Sequence, residues 1–463
     1  MRTQPKYVFS WVLHLCAICV WFFPASAIEL DLQDPKNIKN VAGVVAKNMV
    51  SVYTGNNPGD VPGNLPDPYY WWEAGAFFGT LINYWYYTGD TTYNNITTQA
   101  ILHQASPSAD FMPPNQTRTE GNDDQAFWAF TAMRAAELGF ANPPDDQPSW
   151  VALVQAVFNE QTGRWNTDKC GGGLKWQLTP LNNGYTYRNA ISTGCLFNMA
   201  ARLARYTGND TYAEWAHKAW DWVTDIGLVS DKYAVYDGTS DTNNCSDVNH
   251  REWSYNNGVF LHGAAHMWNH TKDDVWKTRI DGLLDAQTRF LSQNESSKNV
   301  FYEYPCEHTY MGNTCNTDQK SFKAYLARWM ADSVKLAPWT RQTILSRLTP
   351  SAKAAAAQCV GGKTGTFCGM EWTTGKYDGR TGVGEQMSAL EVIQAHLLDE
   401  VDGPMSTVTG GTSKGDGAAG TGPERGDDPA ATKPITTGDR VGAAILTVVV
   451  AVVVIGWTTL MMT

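Results

Sequence analysis

The sequence predicts an all-α protein, with residues 28–402 folded as an (α/α)6 barrel of six helical hairpins. Three observations carry that expectation. Apolar residues recur at helical spacing through the body, as with Ala76, Phe77, Leu81, Tyr84 and Trp85 in the Trp72–Thr88 run. A helix end, a polar turn and an aromatic-bearing helix start recur three times: Thr88-Gly89-Asp90 before Tyr93, Thr207-Gly208-Asn209 before Tyr212 and Trp215, and Asn269 to Asp274 before Trp276. The first two carry a Gly suited to a left-handed C-cap, and all three an Asx residue suited to an N-cap. Finally, helix starts fall near residues 39, 72, 92, 123, 147, 190, 211, 256, 273, 320, 340 and 383, enough for six antiparallel pairs. An open helical solenoid meets the same spacing, although solenoid periods are usually shorter and more regular.

Composition narrows the class. Of 463 residues, 43% are hydrophobic and 17% charged, which excludes a disordered chain. The net charge of −11 argues against a nucleic-acid partner, which needs a basic face. Nineteen Trp and 20 Tyr suit both a core and flat platforms for sugar rings.

The ends read as addresses. In residues 1–27, Arg2 and Lys6 precede an apolar run and the Ala25-Ser26-Ala27 cleavage pattern of a secretory signal. Residues 403–440 are rich in Gly, Pro, Ser and Thr and lack Phe, Trp, Tyr and Leu, so a flexible stalk is expected. Residues 441–463 form an uncharged apolar stretch with no basic stop, the pattern of a glycosylphosphatidylinositol (GPI) attachment signal, with the attachment residue between about Gly417 and Ala431. A spanning helix is the alternative, at the short limit of length. Export predicts disulfides and glycans. Cys306 with Cys315 and Cys359 with Cys368 can each close a short loop, Cys170 and Cys245 sit in polar loops and can pair, and Cys195 in an apolar helix is left as a buried thiol. Sequons occur at Asn95, Asn115, Asn209, Asn244, Asn269 and Asn294. No metal is expected: His262 and His266 lack the Glu of an H-E-x-x-H motif, and no Cys-x-x-Cys occurs. Nor does a nucleotide-cofactor fingerprint appear.

The candidate chemistry centres on Asn122-Asp123-Asp124-Gln125, followed by Trp128, at the start of an apolar helix. As plain structure, Asn122 or Asp123 is an N-cap with acids in the first turn. As chemistry, two close carboxyls push their proton affinities apart, and neighbours at a helix start can flank one bound group. A separation of about 5–5.5 Å predicts a retaining double displacement. Trp71, Trp72, Trp176, Tyr187 and the Trp253-Ser254-Tyr255-Asn256-Asn257-Gly258 cluster supply aromatic faces for sugars, with Asn and Gln for hydroxyls.

Gly121-Asn122-Asp123-Asp124-Gln125, with Tyr70-Trp71-Trp72-Glu73 before it and Tyr255-Asn256-Asn257-Gly258 after it, resembles glycoside hydrolase family 76, in particular its fungal GPI-anchored mannan endo-1,6-α-mannosidase branch. The resemblance covers nearly all of 28–402. It implies an (α/α)6 barrel and retaining chemistry on α-1,6-mannosides, with Asp123 as nucleophile and Asp124 as acid and then base. It also places Asn189, Tyr255 and Asn256 near the groove. The branch is thought to act on the mannose core of GPI glycans and to pass anchored proteins to a wall β-glucan acceptor, at the cell surface and tethered to the membrane by its own anchor. A non-catalytic wall-bound carbohydrate-binding protein is the rival expectation.

Overall fold

The computed structural model describes residues 28–308, 312–421 and 437–461. The expected signal at 1–27 and most of the expected attachment region lie outside them. In chain order the body's helices are α1 (Pro35–Val50), α2 (Trp71–Thr88), α3 (Asn94–Gln104), α4 (Asn122–Glu137), α5 (Trp150–Gly163), α6 (Ala190–Thr207), α7 (Asp210–Asp225), α8 (Ser254–Thr271), α9 (Asp274–Ala286), α10 (Phe322–Leu336), α11 (Arg341–Ala357) and α12 (Val383–Gln394). Even-numbered helices pack each on the next, and α12 packs back on α2, so an inner ring closes and the open solenoid is excluded. Odd-numbered helices lie outside it. The inner helices are buried almost all round, as in α4 and α6. The outer ones are amphipathic, with α7 burying Tyr212, Ala216, Trp220 and Val223 on one side.

Local chemistry sets the helix ends. Gly89 and Gly208 end α2 and α6 in the left-handed conformation, and Asn209 and Asp273 cap α7 and α9 through their side chains. Asp90 differs from expectation. Its carboxylate closes a turn onto Thr92 N–H, and Tyr93 occupies the cap of α3.

The chain is not purely helical. Strands β1 (Tyr187–Asn189), between α5 and α6, and β2 (Tyr236–Ser240) and β3 (Val248–Glu252), between α7 and α8, form an antiparallel sheet. Two small ladders, β4 (Glu307–His308) with β5 (Gly312–Asn313) and β6 (Cys359–Gly361) with β7 (Phe367–Cys368), lie in the loops closed by Cys306–Cys315 and Cys359–Cys368. Cys170 pairs with Cys245, and Cys195 is a buried free thiol on α6.

The expected flexible stalk does not begin at Gly403. Residues 403–421 lie along the barrel as a strap whose hydrogen bonds occupy groups that helix ends leave open. Met405 N–H donates to Glu137 O at the end of α4 (2.7 Å), and Arg205 of α6 donates to the Pro404 and Met405 carbonyls (2.9 and 2.7 Å). The Ser413 hydroxyl accepts from Val151 N–H in the first turn of α5 (3.0 Å). Further on, Asp416 N–H donates to Gln155, and Asn159 donates to the Gly417 and Ala419 carbonyls. Three of the strap's glycines serve close approach: a Cβ at Gly411 would overlap the Tyr206 hydroxyl, one at Gly415 would crowd Gln155 and one at Gly420 would crowd Ala156. A thirteenth helix, α13, spans Thr437–Met461. Among the described residues no helix is long and apolar enough to cross a membrane.

Five sequon asparagines are exposed, at 95, 115, 209, 244 and 294. Asn269 is a correction. Its amide donates to Leu336 O (2.9 Å) and its carbonyl accepts from Arg205 Nε (2.7 Å), so the folded chain already uses both atoms.

Two outcomes follow. Gly411→Ala costs about 1–3 kcal/mol through overpacking and lowers Tm in a thermal melt; an unchanged Tm would mean the strap is not clamped there. Asn115→Gln in the secreted protein removes one glycan by mass, whereas Asn269→Gln leaves the glycan mass unchanged.

Candidate active site

The first turn of α4 is built by its neighbours. Gly121 is the N-cap in extended backbone, rather than Asn122 or Asp123. Its N–H donates to Asp124 Oδ2 (2.7 Å), while Asp123 Oδ1 accepts from Asp124 N–H (3.2 Å). A Cβ on Gly121 would stand 2.5 Å from Asp123 Oδ1 and 3.3 Å from Asp124 Oδ2, so both carboxyls fold over the one residue that has no side chain.

Asn122 and Gln125 do not reach the groove, contrary to expectation. Asn122 donates to Lys175 O (2.8 Å), and its own oxygen accepts from Arg164 (3.0 Å). Gln125 accepts from Arg164 (2.7 Å) and donates to Asp110 O and Glu160 (both 2.8 Å). Arg164, just past α5, therefore clamps the turn that carries both aspartates. Trp128 is also a correction: it is buried against Phe111, and its indole N–H donates to Trp71 O (3.2 Å). Asn256 is fully buried on α8 and lines no groove. Asn257 and Gly258 of the same cluster serve packing, Asn257 through Leu283 O and Gln287, and Gly258 by admitting Trp329.

The groove has two lobes. The first, about 200 Å³, is lined by Asp123, Asp124, Asn189, Tyr187, Asp237, Trp253, Tyr255 and Phe322 among others. Its walls come from the starts of the inner helices and from the small sheet. β1 brings Tyr187 and Asn189, and β2 brings Asp237, whose carboxylate accepts from the Tyr187 hydroxyl (2.7 Å). Tyr255 stacks on Phe322 with ring centroids 3.8 Å apart, so one broad aromatic face is held flat. The second lobe, about 370 Å³, is lined by Tyr70, Trp71, Gln116, Thr119, Glu120 and Gln177. Trp72, Asp124, Trp176 and Asp318 line both lobes and form the waist. Trp176 is placed by backbone bonds from Asn122 N–H to its carbonyl (2.9 Å) and from its own N–H to Tyr187 O (2.7 Å). Asp123 opens only into the first lobe, and Asp124 into both.

Sequence reasoning did not single out Asp237, Asp318 or Glu120 as site residues. With the pair, five carboxyls line the groove, and among the described residues no Lys or Arg does. Lys175 instead faces Asp241 (3.5 Å) and the Tyr185 ring, and Lys320 faces Glu385 (3.7 Å). Burial, then the negative charge of Asp124, holds Asp123 well above the ordinary carboxyl range. Burial pushes Asp124 up to about 7, against the pull of Gly121 N–H. Two such groups share their protonation rather than ionise together. Asp123 also accepts from Asn189 and from Asp124 N–H, which favours its charged form. Burial and the negative charge of Asp124 raise Glu120 well above the ordinary carboxyl range, which favours its protonated form.

Adjacent carboxyls in an aromatic groove at one mouth of an (α/α)6 barrel define a glycoside hydrolase. The glycosyl hydrolase family 76 model matches residues 37–408, and the chain belongs to that family. It is 45% identical to a mannan endo-1,6-alpha-mannosidase, DCW1, of Saccharomyces cerevisiae, across 93% of this chain and 94% of the relative. The crystal structure of Dfg5 from Chaetomium thermophilum in complex with glucosamine is 44% identical, with TM-score 0.81, covering 85% of this chain and 98% of that one. An inactive variant of an α-1,6-mannanase of Salegentibacter sp., in complex with α-1,6-mannotetrose, shares the fold at 18% identity and TM-score 0.62, covering 78% of this chain and 99% of that one.

The clamp predicts a kinetic signature. Arg164→Met loosens the first turn of α4 without touching the groove, and lowers kcat about 10–100-fold with KM little changed. A rise in KM alone would show that Arg164 does not position the pair.

Proposed function

We propose that the protein is a retaining endo-α-1,6-mannosidase of the cell surface that also transfers, with the mannose core of GPI glycans as donor and wall β-glucan as acceptor. The observation that carries this reading is the division of the groove: Asp123 faces one lobe, Asp124 faces both, and the bond to be cut belongs at the waist between them. In the first half-reaction an oxygen of Asp123 attacks the anomeric carbon of a mannose in the first lobe. The glycosidic C–O bond breaks, and Asp124 gives its proton to the departing oxygen in the second lobe. In the second, Asp124 takes a proton from an incoming hydroxyl as that oxygen displaces Asp123. The incoming group is water in hydrolysis and a sugar hydroxyl in transfer.

The names of the relatives support the α-1,6-mannan linkage. The glucosamine complex of the Chaetomium relative, and a groove that among the described residues is lined by carboxyls and by no Lys or Arg, support a donor that carries an amino sugar, as a GPI glycan does. The apolar segment at 441–463 supports membrane attachment through the protein's own GPI anchor, with the strap holding the chain to the barrel before the tether begins.

Asp123→Asn and Asp124→Asn should each lower turnover of an α-1,6-mannoside oligomer at least 1,000-fold, since both are asked for several kcal/mol of barrier. Full activity in either variant would overturn the assignment, and tight sugar binding without turnover in the wild type would favour a binding protein. An acid must hold its proton to act, so with Asp124 near 7 kcat/KM should fall as pH rises above about 7. Product analysis with a GPI-like mannoside donor and a β-glucan oligomer tests transfer; free reducing mannoside alone would leave hydrolysis as the activity.

A further inference from the structure

We propose that Asp318, fixed by the Trp72 indole, is a third carboxyl of the reaction, a positioning residue that governs through Asp124 the proton the leaving sugar takes. This rests on the reading of Asp124 as acid and base. Asp318 lies nearly two hundred residues from the pair, in the turn that leads into α10, yet it lines both lobes, as Asp124 does. Trp72 Nε1 donates to its Oδ1 (3.1 Å), and the Ser321 hydroxyl and N–H hold its carbonyl (2.6 and 3.0 Å). Trp72 is itself wedged against Phe127 and Tyr325, so this carboxylate is aimed at the waist from a rigid wall.

The surroundings explain why such a group matters. The charged or titratable groups around Asp124 include Asp123 on its own helix, Glu120 in the preceding turn, Cys195 on α6, Tyr187, Asp237 and Tyr255 in the first lobe and Asp318 opposite. Among the described residues no Lys or Arg lines either lobe, and Arg164 beneath the turn is bonded to Asn122, Gln125 and Glu160. Burial favours the neutral forms of Glu120 and Cys195. Burial also raises Asp318, while the Trp72 donor favours its charged form. A negative charge across the waist makes Asp124 hold its proton more firmly at rest, and the same repulsion disfavours ionisation of Asp124. When Asp124 has given its proton away, that repulsion makes it a stronger base toward the incoming hydroxyl. Asp318 makes and breaks no bond in either half-reaction, so the proton count of the cycle is unchanged.

The test uses Asp318→Asn and Asp318→Glu in the full-length protein, with folding checked by thermal melt. The alkaline limb of kcat/KM on an α-1,6-mannoside oligomer should move down by about one pH unit in Asp318→Asn and return in Asp318→Glu. The deficit should shrink on an aryl α-mannoside, whose leaving group needs little proton donation. The titration of Asp124, followed by carboxyl 13C NMR and assigned with Asp124→Asn, should move the same way, and this readout stands whatever the sugar. An unmoved limb and an unmoved Asp124 midpoint, with only KM raised, would make Asp318 a sugar contact and overturn the proposal. Absence of wild-type turnover with a shifted Asp124 midpoint would strike the proposed function and leave the electrostatic coupling standing. Absence of both would remove the two together.

Discussion

Everything in this molecule hangs on how six nearly buried helices are kept in register around one axis. Apolar packing is non-directional and tolerates sliding, so the inner ring needs contacts with geometry. It has them in a buried ionic network that touches every inner helix. Arg134 of α4 makes two bonds to Asp332 of α10 (2.6 and 2.9 Å) and one to Asn83 of α2. Asn83 and Arg328 converge on Glu391 of α12, and Arg202 of α6 pairs with Glu137 of α4. His262 and His266 of α8 fill the remaining gap, bonded to each other and, through His262, to Asn198 (both 3.1 Å). Removing one partner from such a pair leaves a buried charge unmet, at about 3–5 kcal/mol. Burial and the surrounding arginines keep both histidines neutral.

That register decides where helix starts meet. Trp72, Asp123, Tyr255 and Phe322 come from the first turns of four inner helices, and Asn189 caps a fifth. The partial positive ends of those helices face the groove, which partly compensates a lining that among the described residues holds carboxyls and no cation. Protons supply the rest of the balance, and a site balanced by protons is one that can give and take them. The electrostatic design and the chemistry are one arrangement, since a lysine in the wall would ionise both aspartates and leave no acid.

Much of this was legible in the chain. Every helix of the barrel starts within about four residues of its expected position, because periodicity, Gly C-caps and Asx N-caps are local signals. The aspartate pair was legible for the same reason. What failed was the direction in which a side chain points. Asn122 and Gln125 share a turn with Asp123 and Asp124, but successive helical residues diverge by about 100°, and these two face Arg164. Trp128 and Asn256 sit on the core side of their helices for the same reason. Asp237 and Asp318 left no trace, since each reaches the groove only through tertiary closure, one on a strand and one in a turn. Asn269 carries a perfect sequon, but its amide is committed to two other helices' ends. The strap misread has another cause: glycine looks the same in composition whether it serves freedom or close contact.

The strap also has a mechanical meaning. Its bonds are spread along α4, α6 and the length of α5, and it runs beside α5 from the first turn toward the last. A pull on the chain beyond Thr421 is therefore shared by many hydrogen bonds, most of them between a side chain and the backbone. The load enters the outer layer of the barrel, and the first turn of α4 stands apart from it. Under the surface attachment proposed above, this arrangement keeps strain on the tether away from the two aspartates.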